Sequence, residues 1–224
     1  MTTHYHPGED ILWDYYRGAL TPGLALVVRT HMELCGECRD DLRLFDHVGA
    51  ALMTEVDDVA MSDTALDLAL ARIERPIERT DDSDAPAPAR TVKTPAFLEG
   101  FELPQSLKDV VIKGRYWAAP GVWMAPVEVA DAPKGARTYL MHVPAGMVMP
   151  QHTHRGIETT VVLKGSFSDH NGDYHVGDMA ICTPEDSHCP AISADEDCLC
   201  LIWQDAAIIP QTWLGRLLQP FARI

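Results

Sequence analysis

The apolar residues of the N-terminal third recur every three or four positions, which predicts short helices. One stripe runs along "EDILWDYYRGAL". A second segment, "GLALVVRTHMEL", follows Thr21 and Pro22, which are typical of a helix N-cap and of the first helical position. "CRDDLRLFDHVGAALM" repeats the spacing, and Ser62 can cap a fourth helix that must end before Pro76. This pattern predicts a small all-α four-helix domain over residues 1–78.

A different pattern follows residue 95. The short runs "TYLMHV", "ETTVVL", "DMAIC" and "CLCLIW" alternate with the turn signals "PAG", "KGS", "HNGD" and "VGD". They predict an all-β domain, a sandwich or small barrel, over residues 96–224. Between the two patterns, "RTDDSDAPAPARTVKTP" (79–95) is rich in Pro, Ala and Asp, which predicts a flexible linker.

Composition and charge narrow the classes of function. The chain has 224 residues and a formal net charge of −15, which disfavours direct binding to nucleic acid. Such a charge either serves solubility or suits docking to a basic protein partner. It has no apolar run of membrane-spanning length, and its start lacks the order of a secretion signal. We therefore expect a cytoplasmic protein with no membrane partner. In that compartment thiols stay reduced, so metal ligands, redox sensors and core residues are more common roles for its six cysteines than disulfide bonds.

The first candidate metal site lies in "HMELCGEC". His31 and Cys35 are four residues apart and share one helix face, and Cys38 follows in the first turn of the next helix. Structural zinc takes four Cys or His ligands, so three ligands are explained and one is missing. The spacing leaves the fourth open among His4, His6, Glu9 and His47.

The second candidate metal site lies in "GMVMPQHTHRGIETTVVLKG". His152 and His154 are one residue apart and face the same side of a strand, where Glu158 on the next strand can join them. Downstream, "GDMAICTPEDSHCP" offers His188. Three imidazoles and a carboxylate form a mixed nitrogen and oxygen site that suits Zn, Fe or Mn.

Both sites resemble known families. The spacing His31-x3-Cys35-x2-Cys38, with a histidine 25 positions upstream, resembles the zinc-binding anti-sigma domain of bacteria. In that family the upstream histidine completes a structural zinc site, which implies His6, with His4 as the alternative two residues away.

The second site resembles the first cupin motif at every fixed position, from Gly146 to Gly165. The second cupin motif matches more loosely. Pro184 and His188 fit, but Asp186 stands where the family often has Gly, and Ile192 where it often has Asn. The resemblance implies a double-stranded β-helix, or jelly roll, with His152, His154, Glu158 and His188 as metal ligands.

The combination of the two domains resembles the ChrR class of cytoplasmic anti-sigma factors, over nearly the full chain. It implies a regulator, not an enzyme, that sequesters one extracytoplasmic-function sigma factor in a 1:1 complex through its helical domain. The cupin domain would sense photo-oxidative stress such as singlet oxygen and release the sigma factor. The alternative is a dioxygenase-like, metal-dependent cupin enzyme with a helical regulatory appendage.

The sequence leaves the roles of two further features open. Cys182, Cys189, Cys198 and Cys200 are either redox-sensitive groups near a metal or ordinary core residues. The apolar stripe of Leu66, Leu70 and Ile73 on the fourth helix either belongs to the core or binds a partner.

Overall fold

A computed structural model describes residues 3–74 and 93–210. Most of the predicted linker, 79–95, lies outside these residues. Within the described residues, no helix is both long enough and apolar enough to span a bilayer.

Four helices form where the apolar spacing predicts them. They are α1 (Glu9–Tyr16), α2 (Pro22–Leu34), α3 (Gly36–Thr54) and α4 (Ala65–Glu74). Pro22 occupies the first position of α2, although Thr21 makes no side-chain cap hydrogen bond. A 3₁₀ turn at Ala96–Leu98 and a short helix α5 (Gln105–Lys108) precede the strands.

Twelve strands follow within the described residues. They are β1 (Tyr116–Ala119), β2 (Val122–Pro126), β3 (Arg137–Val143), β4 (His152–His154), β5 (Glu158–Lys164), β6 (Ser166–Asp169), β7 (Gly172–His175), β8 (Met179–Cys182), β9 (Ser187–His188), β10 (Ala191–Ile192), β11 (Cys198–Gln204) and β12 (Ile208–Pro210). One sheet has the order β1-β2-β3-β11-β5-β8, and two three-stranded sheets have the orders β10-β6-β7 and β12-β4-β9. The helical part followed by a β-rich, cupin-like part confirms the predicted fold class.

The six-stranded sheet is covered on both faces, because successive side chains of a strand point to opposite sides. Along β11, Cys200 and Ile202 face an inner core shared with the small sheets, whereas Leu201 and Trp203 face an outer core shared with the helices. All seven residues of β11 are buried. This double burial explains why "CLCLIW" is apolar at consecutive positions rather than alternating.

Helix α2 covers the outer face of the large sheet. Val27 and Val28 are fully buried in the outer core, and burial of each such side chain contributes about 1.5–3 kcal/mol. The backbone at Gly23 lies so close to Trp203 that a Cβ atom would clash with the indole ring. At the other end of α2, the Glu33 carboxylate accepts hydrogen bonds from the backbone N–H groups at the start of α5.

The compact units of the described residues have different bounds from the predicted domains. Residues up to Phe45 form one unit with the residues from Lys93 onward, and the second unit begins at Asp46 and contains α4. The reason is the apolar face of α2, which packs on the β-sheet instead of serving only a four-helix core. Independent folding of residues 1–78 stays a prediction.

Candidate metal centres

The structure gathers the first predicted ligand set into one N-terminal cluster. The ligand atoms of His6, His31, Cys35 and Cys38 all lie within 4.8 Å of one another. His6 Nδ1 is 3.4 Å from Cys35 Sγ and 3.3 Å from Cys38 Sγ, and His31 Nε2 is 3.2 Å from Cys38 Sγ. These separations fit four donors arranged around one tetrahedral zinc ion.

Helix geometry and a long-range hydrogen bond aim these side chains. Cys35 follows the last residue of α2, and Cys38 lies in the first turn of α3, so the break between the helices turns both thiols toward His31. The His31 Nδ1–H group donates to the backbone carbonyl of Gly177 at 2.7 Å. The proton is therefore on Nδ1, which leaves the Nε2 lone pair free to bind a metal.

The electrostatics of the N-terminal cluster suit a cation. Burial, together with the neighbouring Cys35, raises the pKa of the Cys38 thiol to about 12, and burial lowers the pKa of His31. A neutral imidazole is what a metal requires, and a bound cation would stabilise the thiolate that burial disfavours.

Only one of the four candidates for the missing ligand joins the cluster in the described part of the chain. His6 does so, whereas the side chains of His4, Glu9 and His47 are exposed and lie outside it. The residue that the family resemblance selects is thus the one that the fold brings to the thiols. Metal binding by the four residues stays a prediction.

The structure also gathers the second predicted set, here called the C-terminal cluster. The ligand atoms of His152, His154, Glu158 and His188 lie within 4.8 Å of one another. His188 Nε2 is 2.9 Å from His152 Nε2 and 3.1 Å from His154 Nε2. Strand pairing explains the meeting, since His152 pairs directly with His188 across β4 and β9.

Hydrogen bonds made by the Nδ1 atoms of His152 and His188 show that the Nε2 atoms of these two rings carry lone pairs. His152 Nδ1–H donates to the Pro150 carbonyl at 2.9 Å, and His188 Nδ1–H donates to the Asp169 carboxylate at 2.9 Å. Both Nε2 atoms are then unprotonated and face each other at close range. Such an arrangement is repulsive without a cation between the rings, so the residues fit a metal ion.

Burial favours the neutral form of two imidazoles of the C-terminal cluster and the protonated form of its carboxyl group. It lowers the pKa of His152 and of His154 to about 4 each, and it raises the pKa of Glu158 to about 7. A divalent cation would offset the cost of the buried carboxylate charge. The mixed nitrogen and oxygen donor set suits Zn, Fe or Mn.

Asp169 is a contact that the local spacing of the sequence does not reveal. Its carboxylate is 1% exposed, lies at the end of β6 and reaches His188 from a different sheet. Cys182 also lies near this contact, with Sγ 3.6 Å from His188 Nδ1. The only available signal was an acidic residue in the turn "SDHNGD", which by itself indicates a hairpin.

A cavity of about 340 Å³ opens onto the C-terminal cluster. His152, Glu158 and His188 contribute to its wall, and the rest is mainly apolar. Its volume is within the range of small-molecule sites. The apolar part includes Val122, Tyr139, Met141, Val143, Met147, Met149, Phe167, Ala180, Ile192, Cys198, Cys200 and Ile202.

The departure from the second cupin motif has a structural role. Asp186 accepts hydrogen bonds from the backbone N–H and the hydroxyl group of Thr183, at 2.7 and 2.9 Å. The bond from the Thr183 backbone is the main cause of the lowered pKa of Asp186. This carboxylate therefore closes the turn before His188 where the family often uses Gly.

The four remaining cysteines lie in two kinds of environment. Cys189 is exposed, whereas Cys182, Cys198 and Cys200 are buried. Sγ of Cys198 is 3.5 Å from Sγ of Cys200, and both line the cavity. Burial raises the pKa of Cys182 to about 12, so its thiol is a weak nucleophile.

Each half of the chain matches a known protein family. Residues 9–39 match a zinc-finger family, and residues 114–207 match the family described as the ChrR Cupin-like domain. The chain is 36% identical to the anti-sigma-E factor ChrR of Cereibacter sphaeroides, with 100% of each protein covered.

A solved structure is also similar. It is the crystal structure of Rhodobacter sphaeroides SigE in complex with the anti-sigma ChrR. The match has a TM-score of 0.65 and 32% identity, and it covers 91% of this chain and 100% of the solved one. On this likeness over the whole chain, the protein belongs to the ChrR family of anti-sigma factors.

Proposed function

We propose that the protein is a cytoplasmic anti-sigma factor that sequesters one extracytoplasmic-function sigma factor in a 1:1 complex. The observation that carries the proposal is the full-length likeness to ChrR, whose structure was solved in complex with SigE. Residues 1–78 bind the sigma factor, and the C-terminal cupin-like part senses photo-oxidative stress, such as singlet oxygen, and triggers release.

Exposed apolar residues on two helices support the assignment of the binding surface. On α3, Val48 and Leu52 are 49% and 64% exposed, although they continue the apolar spacing of the helix. On α4, Leu66, Leu70 and Ile73 are 68%, 47% and 79% exposed. An apolar helix face with this much exposure is typical of a protein-binding surface, so the core interpretation of the α4 stripe is not supported.

Charge supports a basic protein as the partner. The net charge is −15, and α3 carries four acidic residues against two arginines, namely Glu37, Asp40, Asp41 and Asp46 against Arg39 and Arg43. Acidic side chains around an apolar stripe favour a partner whose own surface is basic, as surfaces that bind polymerase or DNA are.

The two metal sites have different roles in this proposal. Zinc in the N-terminal cluster joins α2, α3 and the N-terminal segment. It thereby holds the start of α3 in place, and α3 carries part of the proposed binding surface. The C-terminal cluster holds Zn, or else Fe or Mn, beside a cavity with oxidisable Met and Cys side chains in its wall. A change at this second site is the signal that leads to release.

The alternative, a dioxygenase-like enzyme, shares the metal site and the cavity. Its distinguishing requirement is turnover of a small molecule, whereas a regulator requires only a partner. The family relationship supports the regulator.

The proposal is tested with the full-length chain and the extracytoplasmic-function sigma factors of its source organism, purified separately. We expect one sigma factor to form a 1:1 complex in size-exclusion chromatography and to lose its binding to core RNA polymerase. Singlet oxygen, generated by illuminating a photosensitiser, should release that sigma factor. If every sigma factor tested elutes separately from the chain, and if the chain consumes oxygen in the presence of small organic substrates, the enzyme is favoured.

A further inference from the structure

The N-terminal segment that carries His6 is held by the C-terminal half of the chain. The backbone N–H groups of His4 and Tyr5 donate to Asp178 Oδ1, at 2.6 and 3.1 Å. The backbone N–H of Met179 donates to the Tyr5 carbonyl at 3.0 Å. The Tyr5 ring packs on the Tyr174 ring, with 4.5 Å between the centroids.

Asp178 is well suited to hold a backbone segment. Its side chain is fully buried, and its second oxygen accepts a hydrogen bond from the backbone N–H of His175 at 2.8 Å. The carboxylate therefore accepts hydrogen bonds from three N–H groups, two from the N-terminal segment and one from the turn between β7 and β8 on which it lies. A buried carboxylate with three donors fixes the position of all three.

The neighbouring residue holds the second histidine of the N-terminal cluster. The carbonyl oxygen of Gly177 accepts the Nδ1–H of His31 at 2.7 Å. Gly177 has a φ of +94°, and a Cβ at this position would be 2.7 Å from a methyl group of Thr3. Thr3 in turn donates a hydrogen bond to Cys35 Sγ at 3.0 Å.

We infer that the turn between β7 and β8 positions the N-terminal metal site, with Gly177 orienting the ring of His31 and Asp178 holding the segment that carries His6. The zinc site is then shared between the two halves of the chain. This inference rests on zinc binding by the N-terminal cluster, which is part of the proposed function.

The same strand that begins at this turn ends at the second site. β8 runs from Met179 to Cys182, and Cys182 pairs with Glu158 in β5 and lies beside His188. The first and last of the four residues of β8 are about 10 Å apart along the strand. β8 therefore connects the turn that contacts the N-terminal cluster with a residue that lies beside the C-terminal cluster.

The test replaces Asp178 in the full-length chain and follows cobalt(II) bound in place of zinc. Every protein compared, including the reference chain, also carries Cys182→Ser, because Cys182 with Asp169 and His188 forms another thiol-containing group of possible ligands in the described residues. Thiolate-to-cobalt charge-transfer absorption then reports the N-terminal cluster, since the C-terminal cluster has no thiolate among its four donors. We expect Asp178→Asn to lose this absorption to excess chelator about tenfold faster than the reference chain. Asp173→Asn is the matched control, since Asp173 is exposed on the adjacent strand β7.

Near-UV circular dichroism establishes whether each variant is folded. A folded Asp178→Asn variant that releases cobalt at the rate of the control would overturn the inference. If the variant does not fold, ¹⁵N-histidine NMR of the unaltered zinc-loaded chain decides. We then expect a His31 Nδ1 proton that exchanges slowly with water, and exchange as fast as that of the exposed His4 ring would overturn the inference.

These outcomes are separable from failure of the proposed function. A chain without any thiolate-to-cobalt absorption would contradict zinc binding at the N-terminal cluster, and with it the function. A chain that shows the absorption and binds a sigma factor, but is insensitive to Asp178→Asn, would contradict only the positioning role.

Discussion

Asp169 Oδ2 lies 2.9 Å from Nδ1 of His188, and both side chains are almost completely buried. The carboxylate accepts the Nδ1 proton, so the Nε2 lone pair of His188 points to His152 and His154. Metal-bound histidines commonly have such a partner, which sets the tautomer and increases the basicity of the ring. Asp169 thus extends the C-terminal cluster by one residue that has no place in the predicted ligand set.

Removal of this carboxylate should weaken metal binding without removing a ligand. We expect Asp169→Ala to lower the affinity of the C-terminal cluster by about 10- to 100-fold, measured by competition with a chromophoric chelator. Asp195→Ala, which alters an exposed carboxylate, is the control. Equal affinities for the two variants would show that the Asp169 contact has no role in metal binding.

Loss of one thiolate should disable the N-terminal cluster. We expect Cys38→Ala to reduce the bound zinc by one equivalent and to abolish sigma-factor binding, as measured by elemental analysis and size-exclusion chromatography. Cys189→Ala is the control, because Cys189 is exposed and lies outside both clusters. Retention of zinc and of binding in the Cys38 variant would refute this role.

Loss of a ligand in the C-terminal cluster should separate sensing from binding. We expect His152→Ala to bind the sigma factor with unchanged affinity but to release little of it on exposure to singlet oxygen. His170→Ala provides the comparison, since His170 is exposed in the turn between β6 and β7. If the His152 variant fails to bind at all, the proposed division of roles between the two sites is wrong.

A negative charge in the exposed apolar stripe of α4 should weaken binding of the sigma factor. We expect Leu70→Glu to weaken sigma-factor binding by tenfold or more, because burying an unpaired carboxylate in an apolar interface is costly. Its zinc content should not change. Val111→Glu places the same charge on an exposed apolar position of the C-terminal half, and it should bind normally.

Metal affinity of the C-terminal cluster should depend on pH through Glu158. Burial raises the pKa of this carboxyl group to about 7, so a proton must leave when a metal binds below that pH. We expect affinity to rise about tenfold per pH unit up to pH 7 and then to level off. The imidazoles of His152 and His154, with pKa values of about 4, are already neutral over this range.

Glu158→Gln isolates that contribution. The amide cannot ionise, so this variant should bind metal more weakly and with little pH dependence between pH 5 and 7. Calorimetric titrations at several pH values, in buffers with different heats of protonation, measure the released proton directly. A steep pH dependence in the Gln variant would assign the proton to another group.

The gathering of the two clusters was predictable where neighbours along the chain determine geometry. One helical turn separates His31 from Cys35, and the two-residue period of a strand puts His152 and His154 on one side. These relations are local, so the residue types and their spacing are sufficient. The apolar periodicity predicted the helices and the main strands for the same reason.

The contacts between distant segments depended on the tertiary structure. Spacing alone did not separate His6 from His4, and nothing local connects Asp169 with His188 or Gly177 with His31. Asp169 meets His188 because strands from different sheets pack together, and Gly177 meets His31 because helix α2 packs against the turn between β7 and β8. Packing of the α2 face onto the large sheet likewise decided the bounds of the compact units, since an apolar stripe specifies that a face is buried but not which surface covers it.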